Sequence, residues 1–268
     1  VADPPMIRVH DLTHHYGVRP VLRDISMDVQ TGELVVLLGP NGMGKSTLLG
    51  CLAGVLWPQR GYVEFDGVRR RQSAREEYDL RRRCYYLPDD AWLPLARTGR
   101  EFLIAVGRLY GVDYLRLFEH ADRLLTLFHL IEQGDSPIQN YSTGQRKKIA
   151  LASALIAETP YLLMDEPFSG GLDPAGIVAL KGVLLGLRGD RGRTIVMTTP
   201  VPELVEELAD RVGVIRGGEL AAYDSVDALK RLADHDQSFE TTLQELVDPD
   251  TRSNLEAYFA PLPGEDDA

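Results

Sequence analysis

Two short stretches of the sequence carry most of its chemistry. The first, Gly39-Pro40-Asn41-Gly42-Met43-Gly44-Lys45-Ser46-Thr47, lies between an apolar run and a helical pattern. Glycines at this spacing let successive backbone N–H groups turn inward around a phosphate, and the following helix N-terminus adds its partial positive charge. Lys45 would neutralise the outer phosphates, and Ser46 offers an oxygen to a divalent cation. This is the Walker A pattern in its expected strand-to-helix setting, so Gly39 through Thr47 are the expected phosphate-binding residues. The second stretch, Tyr161-Leu162-Leu163-Met164-Asp165-Glu166, is an apolar strand that delivers two carboxylates at its C-terminal end. Ligands of open parallel sheets bind at such ends. Asp165 is expected to hold a Mg²⁺ shell and Glu166 to orient or deprotonate an attacking water, with Lys45 completing the catalytic pair. An acidic pair that ends a strand can also serve as a helix cap; the P-loop beside it favours the metal and water roles.

These groups must be positioned by a regular scaffold. Residues 7–38 alternate apolar and polar positions in short runs, with turn signals at Gly17 and Gly32, as in a small sheet. Leu34 to Leu38 is continuously apolar, as a strand covered on both faces would be. Ser46 to Ala53 reads as a helix ended near Gly54 and Pro58, Val63 to Gly67 as a strand entering a turn, and Cys84 to Leu87 as a strand stopped by Pro88. From Arg100 to Ile131 the period becomes helical, with Leu124, Leu127, Phe128 and Ile131 on one face. Ile149 to Ile156 continues as a buried helix, and Thr194 to Met197 is a further apolar strand. Strands alternating with helices imply a parallel, doubly covered sheet. After Gly217-Gly218 the pattern predicts polar helix through about Asp248, then an acidic tail too polar to fold.

Composition narrows the function classes. A chain of 268 residues, 44% hydrophobic, can bury one large core or a core with a smaller lobe. A net charge of -11 argues against a general grip on nucleic acid, and no nucleic-acid partner is expected. The longest apolar stretches fall short of the roughly 18 to 20 residues needed to cross a bilayer, so no span is expected, and with no apolar h-region in Val1 to Met6 no secretory signal is expected there. Cys51 and Cys84 sit in apolar patterns and read as packed thiols.

Between the two phosphate-site stretches lies Tyr141-Ser142-Thr143-Gly144-Gln145, which resembles the signature motif of ABC ATPases, usually Leu-Ser-Gly-Gly-Gln. The resemblance covers about residues 7–220. It implies an α/β fold: a P-loop NTPase domain over 1–220 with a mostly parallel core sheet, a small antiparallel β-subdomain and a helical lobe inserted at about 89–156, followed by a short C-terminal extension over 221–268. It also implies a head-to-tail pair of nucleotide-binding domains, homodimeric or heterodimeric, with ATP and Mg²⁺ as cofactors. Each ATP would lie between one Walker A and the partner's signature, touched by Ser142, Gly144 and Gln145. Tyr16 stands where the family places an aromatic ring that stacks on adenine, and Leu172-Asp173 resembles its D-loop. The expected function is that of a cytoplasmic ATP-binding subunit, peripheral to the inner face of the membrane through a separate permease docked near Asp89. The alternatives are a soluble, non-transport ABC ATPase and a slow-turnover ATP sensor that regulates a partner protein.

Four positions depart from the family pattern. Asp89, in Leu87-Pro88-Asp89, replaces a glutamine that senses Mg²⁺ and the transport subunit; it retains an oxygen for the metal on a shorter, charged side chain. Pro200, in Thr198-Thr199-Pro200, replaces a histidine that contacts the γ-phosphate and has no donor to offer. Loss of such a contact costs about 3 to 4 kcal/mol, or roughly 100 to 1000-fold in rate, so turnover at this Walker A site is expected to be slow. Thr143 replaces a signature glycine, and Phe168 to Asp173 contains one extra residue that a glycine bulge would absorb. Arg69, Arg70, Arg71, Arg75, Arg81, Arg82 and Arg83, interleaved with acids, read as a solvated helix face with internal ion pairs, the alternative being contact with anionic lipid headgroups or an acidic partner.

Overall fold

The computed structural model describes residues 6–188, 192–231, 238–250, 254 and 258–259. The alternating N-terminal segment forms β1 (Ile7–His15) and β2 (Pro20–Val29), which pair antiparallel. The chain continues through β3 (Leu34–Leu38), α1 (Lys45–Ala53), β4 (Arg60–Phe65) and β5 (Val68–Arg69). The antiparallel sheet is ordered β2-β1-β4-β5. Next come α2 (Ala74–Arg83), β6 (Cys84–Leu87), α3 (Gly99–Leu109), α4 (Tyr114–Leu127) and α5 (Thr143–Ile156). The chain then returns through β7 (Tyr161–Met164), α6 (Pro174–Leu187), β8 (Thr194–Thr198), α7 (Glu203–Leu208) and β9 (Arg211–Arg216). It finishes with β10 (Glu219–Ser225), α8 (Val226–Lys230) and α9 (Phe239–Val247).

The second sheet, ordered β10-β9-β3-β8-β7-β6, is parallel except for β9 with β10. Its centre is β3, and the reason for that strand's unbroken apolar run is visible in its packing. Leu34, Val36 and Leu38 face one hydrophobic cluster with Leu180, Leu184 and Leu208, while Val35 and Leu37 face another with Leu48, Leu52 and Phe65. A strand clamped on both faces gains about 1.5–3 kcal/mol for each large apolar side chain that it buries. This anchors the P-loop that follows it.

The structure corrects three sequence expectations. The segment after Gly217-Gly218 is a strand, β10, before it becomes helical. Gly217 (φ +58°) and Gly218 (φ +83°) form the two-residue turn of a hairpin in which Arg216 pairs with Glu219, and two left-handed residues match the twist of the flanking strands. The helical stretch from Arg100 to Ile131 is two helices, α3 and α4, separated at Gly111 (φ +80°) and restarted by Asp113, whose carboxylate accepts from the N–H groups of Leu115 and Arg116. The helix stops before His129 (φ +55°), so Leu124, Leu125 and Phe128 are buried, whereas Ile131 is exposed. Finally, the arginine-rich segment makes the expected internal ion pairs, Arg70 and Arg81 each with Glu77 at 3.0 Å, but Arg70 is buried rather than solvated. The thiols of Cys51 and Cys84 are buried and free, pushed up to about 12 and about 11 by burial. The acidic tail lies outside the described residues.

Candidate nucleotide-binding site

The P-loop joins the C-terminal end of β3 to the N-terminus of α1. Gly44, the N-cap, has φ +101°, and a Cβ there would meet Leu22 Cδ2 at 2.6 Å and Val21 O at 3.0 Å. Only glycine fits both the conformation and the space. The helix has no side-chain cap and no acidic residue in its first turn, so its N-terminal N–H groups face a cavity of about 460 Å³. Tyr16, Asn41, Gly42, Gly44, Lys45, Ser46, Thr47 and Glu166 line it. Six of the nine sequence-predicted Walker A residues and the Walker B glutamate therefore share one cleft, which Gly39, Pro40 and Met43 do not line.

Lys45 is 4% exposed, and its Nζ donates to the carbonyls of Gly39 (2.8 Å) and Pro40 (3.2 Å) and to Asn41 Oδ1 (3.4 Å). Glu166 Oε1 lies 4.0 Å from the same ammonium. Burial lowers the Lys45 pKa, while Glu166 and Asp165 oppose that shift. The lysine is thus stored against its own loop, within reach of phosphates entering the cleft. Met43 packs on the core beneath the loop. Tyr16 is 67% exposed, stands edge-on to His14 at 4.9 Å, and its hydroxyl is 3.3 Å from Thr47 Oγ1. Its ring is open for stacking at the mouth of the cleft.

β7 lies between β6 and β8, and Asp165 N–H extends the ladder by donating to Leu87 O at 2.8 Å. Thr198, at the end of β8, then does what sequence reasoning had overlooked. Its hydroxyl donates to Asp165 Oδ1 at 2.6 Å and accepts from Glu166 N–H at 2.9 Å. One buried hydroxyl therefore orients both acidic residues. Its signal in the sequence was a polar residue ending an apolar strand, in the segment already singled out for Pro200. Ser46, exposed to the cleft, and Asp165 provide hydroxyl and carboxylate oxygens, a hard donor set that suits Mg²⁺.

Asp89 and the signature residues do not line this cleft. Asp89 borders a neighbouring cavity of about 460 Å³ with Trp92, Thr143, Arg146 and Lys147. Its Oδ1 accepts from Lys147 Nζ (3.1 Å) and lies 2.9 Å from Ser169 Oγ. At the start of α5, Ser142 Oγ accepts from Gln145 N–H (3.2 Å), and Gln145 Oε1 accepts from Ser142 N–H (2.9 Å). Gly144 lies against Gly171; a Cβ on it would come within 2.8 Å of the Gly171 carbonyl. The extra residue before the D-loop sits in a turn where Gly170 and Gly171 have φ +76° and +82°. Beyond it, Asp173 caps α6 through Gly176 N–H (2.8 Å) and accepts from Lys148 Nζ (2.8 Å). The lysine bond, and then the Gly176 bond, hold the Asp173 carboxyl below its usual range.

A P-loop, an acidic strand end and a capped Ser-Thr-Gly-Gln helix now stand on one scaffold, and the sequence matches the ABC transporter domain over residues 22–169. The chain belongs to the ABC transporter family. It is 35% identical over 224 residues to the daunorubicin resistance ATP-binding protein DrrA3 of Streptomyces coeruleorubidus, a match that covers 84% of this chain and 69% of that protein. It is 33% identical over 219 residues to the cobalt import ATP-binding protein CbiO of Salmonella typhimurium, covering 81% of this chain and 80% of that one. Among solved structures, an ATP-binding subunit of an ABC transporter superposes with a TM-score of 0.82 at 29% identity, covering 90% of this chain and 99% of the other. A dimeric ATP-binding cassette bound to ADP and phosphate shares the fold, with a TM-score of 0.74 over 82% of this chain and 98% of the other, at 21% identity. This ABC chain is an ATP-binding subunit and an ATPase that uses ATP and Mg²⁺. Subunits of this family dimerise and pair with membrane permease components, and no helix among the described residues is long and apolar enough to cross a membrane.

Proposed function

We propose that this chain drives a separate membrane permease as one of two nucleotide-binding subunits, each ATP held between one chain's P-loop and the other's signature helix. The observation that carries this reading is the division of the site. Lys45, Ser46 and Glu166 line one cleft at the end of the parallel sheet, with Asp165 next to Glu166 just past β7, whereas Ser142, Gly144 and Gln145 lie outside that cleft and need a second subunit to reach a nucleotide. In this reading Lys45 leaves the Gly39 and Pro40 carbonyls for the outer phosphates, and the α1 N–H groups hold the rest. Ser46 and Asp165 hold Mg²⁺, which neutralises phosphate charge. Glu166 orients and deprotonates the attacking water, and Tyr16 stacks on the base.

The permease docks in the groove beside Asp89. The cavity lined by Ala91, Trp92 and Leu93 adjoins another of about 520 Å³ that shares Trp92 and includes Phe102, Ile104 and Leu109. Trp92 is 81% exposed, and an aromatic residue left bare beside paired cavities fits a partner helix. The absence of a donor on Pro200 supports slow turnover at this chain's own P-loop. A different partner chain with a complete site would restore turnover at the other composite site.

Membranes solubilised under mild conditions provide the test. Co-purification of the full chain with a multi-spanning protein, together with ATP hydrolysis that Glu166→Gln abolishes while nucleotide still binds, is the expected result. Recovery only with soluble partners would count against transport, and unchanged hydrolysis in Glu166→Gln would remove that residue from the mechanism.

A further inference from the structure

Glu166 has an unusual backbone for a residue with a Cβ. Its φ is +44°, in the left-handed region, a strained conformation that persists only where surrounding contacts impose it. Thr198 Oγ1 holds its N–H. Its carbonyl is held from the other side: Lys147 Nζ donates at 3.0 Å, Ser169 Oγ lies at 2.8 Å, and Ser169 N–H donates at 3.1 Å. Lys147 comes from α5, the signature helix, and is 7% exposed. A buried ammonium requires a counter-charge and filled hydrogen bonds, and Asp89 Oδ1 supplies the charge at 3.1 Å. The lysine stem also lies along Gly170, where a Cβ would meet Lys147 Cδ at 3.4 Å.

We propose that Lys147 is a positioning residue for hydrolysis: it holds the Glu166 carbonyl, fixes the strained peptide, and so aims the carboxylate at the attacking water. Asp89 serves this lysine as its counter-ion and is not a direct donor to Mg²⁺. The Glu166 carbonyl contacts hold its peptide in the left-handed conformation; with Lys147 lost, φ relaxes from +44°, and rotation about N–Cα carries Cβ and the carboxylate with it. Thr198 and Lys147 then grip opposite ends of one residue, one from the core sheet and the other from the signature helix. The inference rests on the reading of Glu166 as the water-orienting residue.

The test is single-turnover hydrolysis of labelled ATP by the full-length chain, with ATP and Mg²⁺ titrated separately. Lys147→Met, which keeps the stem and removes the charge, is expected to lower the rate about 100-fold, as a small misplacement of a catalytic group does. Its half-saturating ATP should stay within about twofold, because the P-loop is untouched. Lys147→Arg should recover most of the rate. Asp89→Asn should slow the reaction about tenfold, leave half-saturating Mg²⁺ unchanged, and add nothing to Lys147→Met in the double variant. Ser169→Ala, which removes a smaller contact to the same carbonyl, gives a second reading if Lys147→Met fails to fold, and its expected loss is again in rate rather than in half-saturation.

Wild-type rate in Lys147→Met would overturn the proposal, as would a wild-type rate in Ser169→Ala where Lys147→Met does not fold. A raised half-saturating Mg²⁺ in Asp89→Asn would return Asp89 to the metal shell. A wild-type chain that binds ATP and does not hydrolyse it even in single turnover would instead remove the hydrolytic reading of Glu166, and the role of Lys147 with it.

Discussion

Two helix N-termini in this molecule are suited to phosphate, and they are built in opposite ways. The first turn of α1 begins at Gly44 with no side-chain cap, and its N–H groups open onto the cleft. The first turn of α5 is closed by a capping box, in which Ser142 and Gln145 satisfy each other's backbone N–H groups. A free helix end leaves about four donors unsatisfied. At α1 those donors are displayed on a loop anchored by β3, so the P-loop is organised for ligand before ligand arrives. At α5 the same need is met internally, and Ser142 and Gln145 can reach a partner's nucleotide only by exchanging bonds that they already make. In the proposed reading, the α1 N–H groups are open in the single chain, whereas the α5 end becomes available on assembly.

The largest effect should come from the open end. Among the described residues Lys45 is the only ammonium lining the cleft, and Lys45→Ala is expected to lower turnover about 100 to 1000-fold, read by steady-state hydrolysis; Lys148→Ala, which lies outside the cleft, should not reproduce that loss. If the two ends were equivalent, variants of the capping residues Ser142 and Gln145 would match Lys45→Ala in the isolated chain. Next in size is Thr198→Val. This isostere leaves Asp165 Oδ1 and Glu166 N–H without the bonds of 2.6 and 2.9 Å, and an orphaned buried group costs about 1–3 kcal/mol. Denaturant unfolding should report the loss, which Thr198→Ser should largely recover.

A smaller effect is expected at the closed end. Ser142→Ala opens the capping box and should destabilise the isolated chain by about 1 kcal/mol while its single-chain nucleotide affinity stays constant; Ser142→Thr should restore the stability. A fall in affinity of the isolated chain would show that α5 contacts nucleotide without a partner and would erase the contrast. The smallest effect concerns pH. Burial holds the Lys45 pKa below 10.5, so between its folded value and 10.5 the unfolded chain binds more protons and stability rises with pH. Phosphate affinity, which needs the charged form, should fall over the same interval. A titration of ATP affinity checks this, with Lys45→Met expected to flatten the decline.

These contrasts explain what was legible in advance. The P-loop occupies one contiguous stretch, and its glycines, lysine and serine act through local backbone geometry, so residue types and spacing suffice to read it. The Walker B pair was legible as an apolar strand ending in acid, because side-chain alternation and strand burial are also local. β10 was missed, although Gly217-Gly218 between two apolar-rich runs is a hairpin signal, because its burial is partial and its outer positions are polar. Asp89 was recognised as a departure from the family pattern. Its engagement by Lys147 and Ser169 was invisible, since those partners stand 58 and 80 residues away in the chain.

The sequence by itself determined the phosphate chemistry, the strand-to-helix setting of the P-loop and the membership of the signature helix, because each is written in neighbouring residues and obeys a short-range period. Only the tertiary structure decided which side chains orient the acids. Thr198 reaches Asp165 and Glu166 because β8 lies beside β7, and Lys147 reaches the Glu166 carbonyl because α5 packs across the end of that sheet. Such contacts depend on how separate elements are brought together in space, and spacing along the chain carries no record of that.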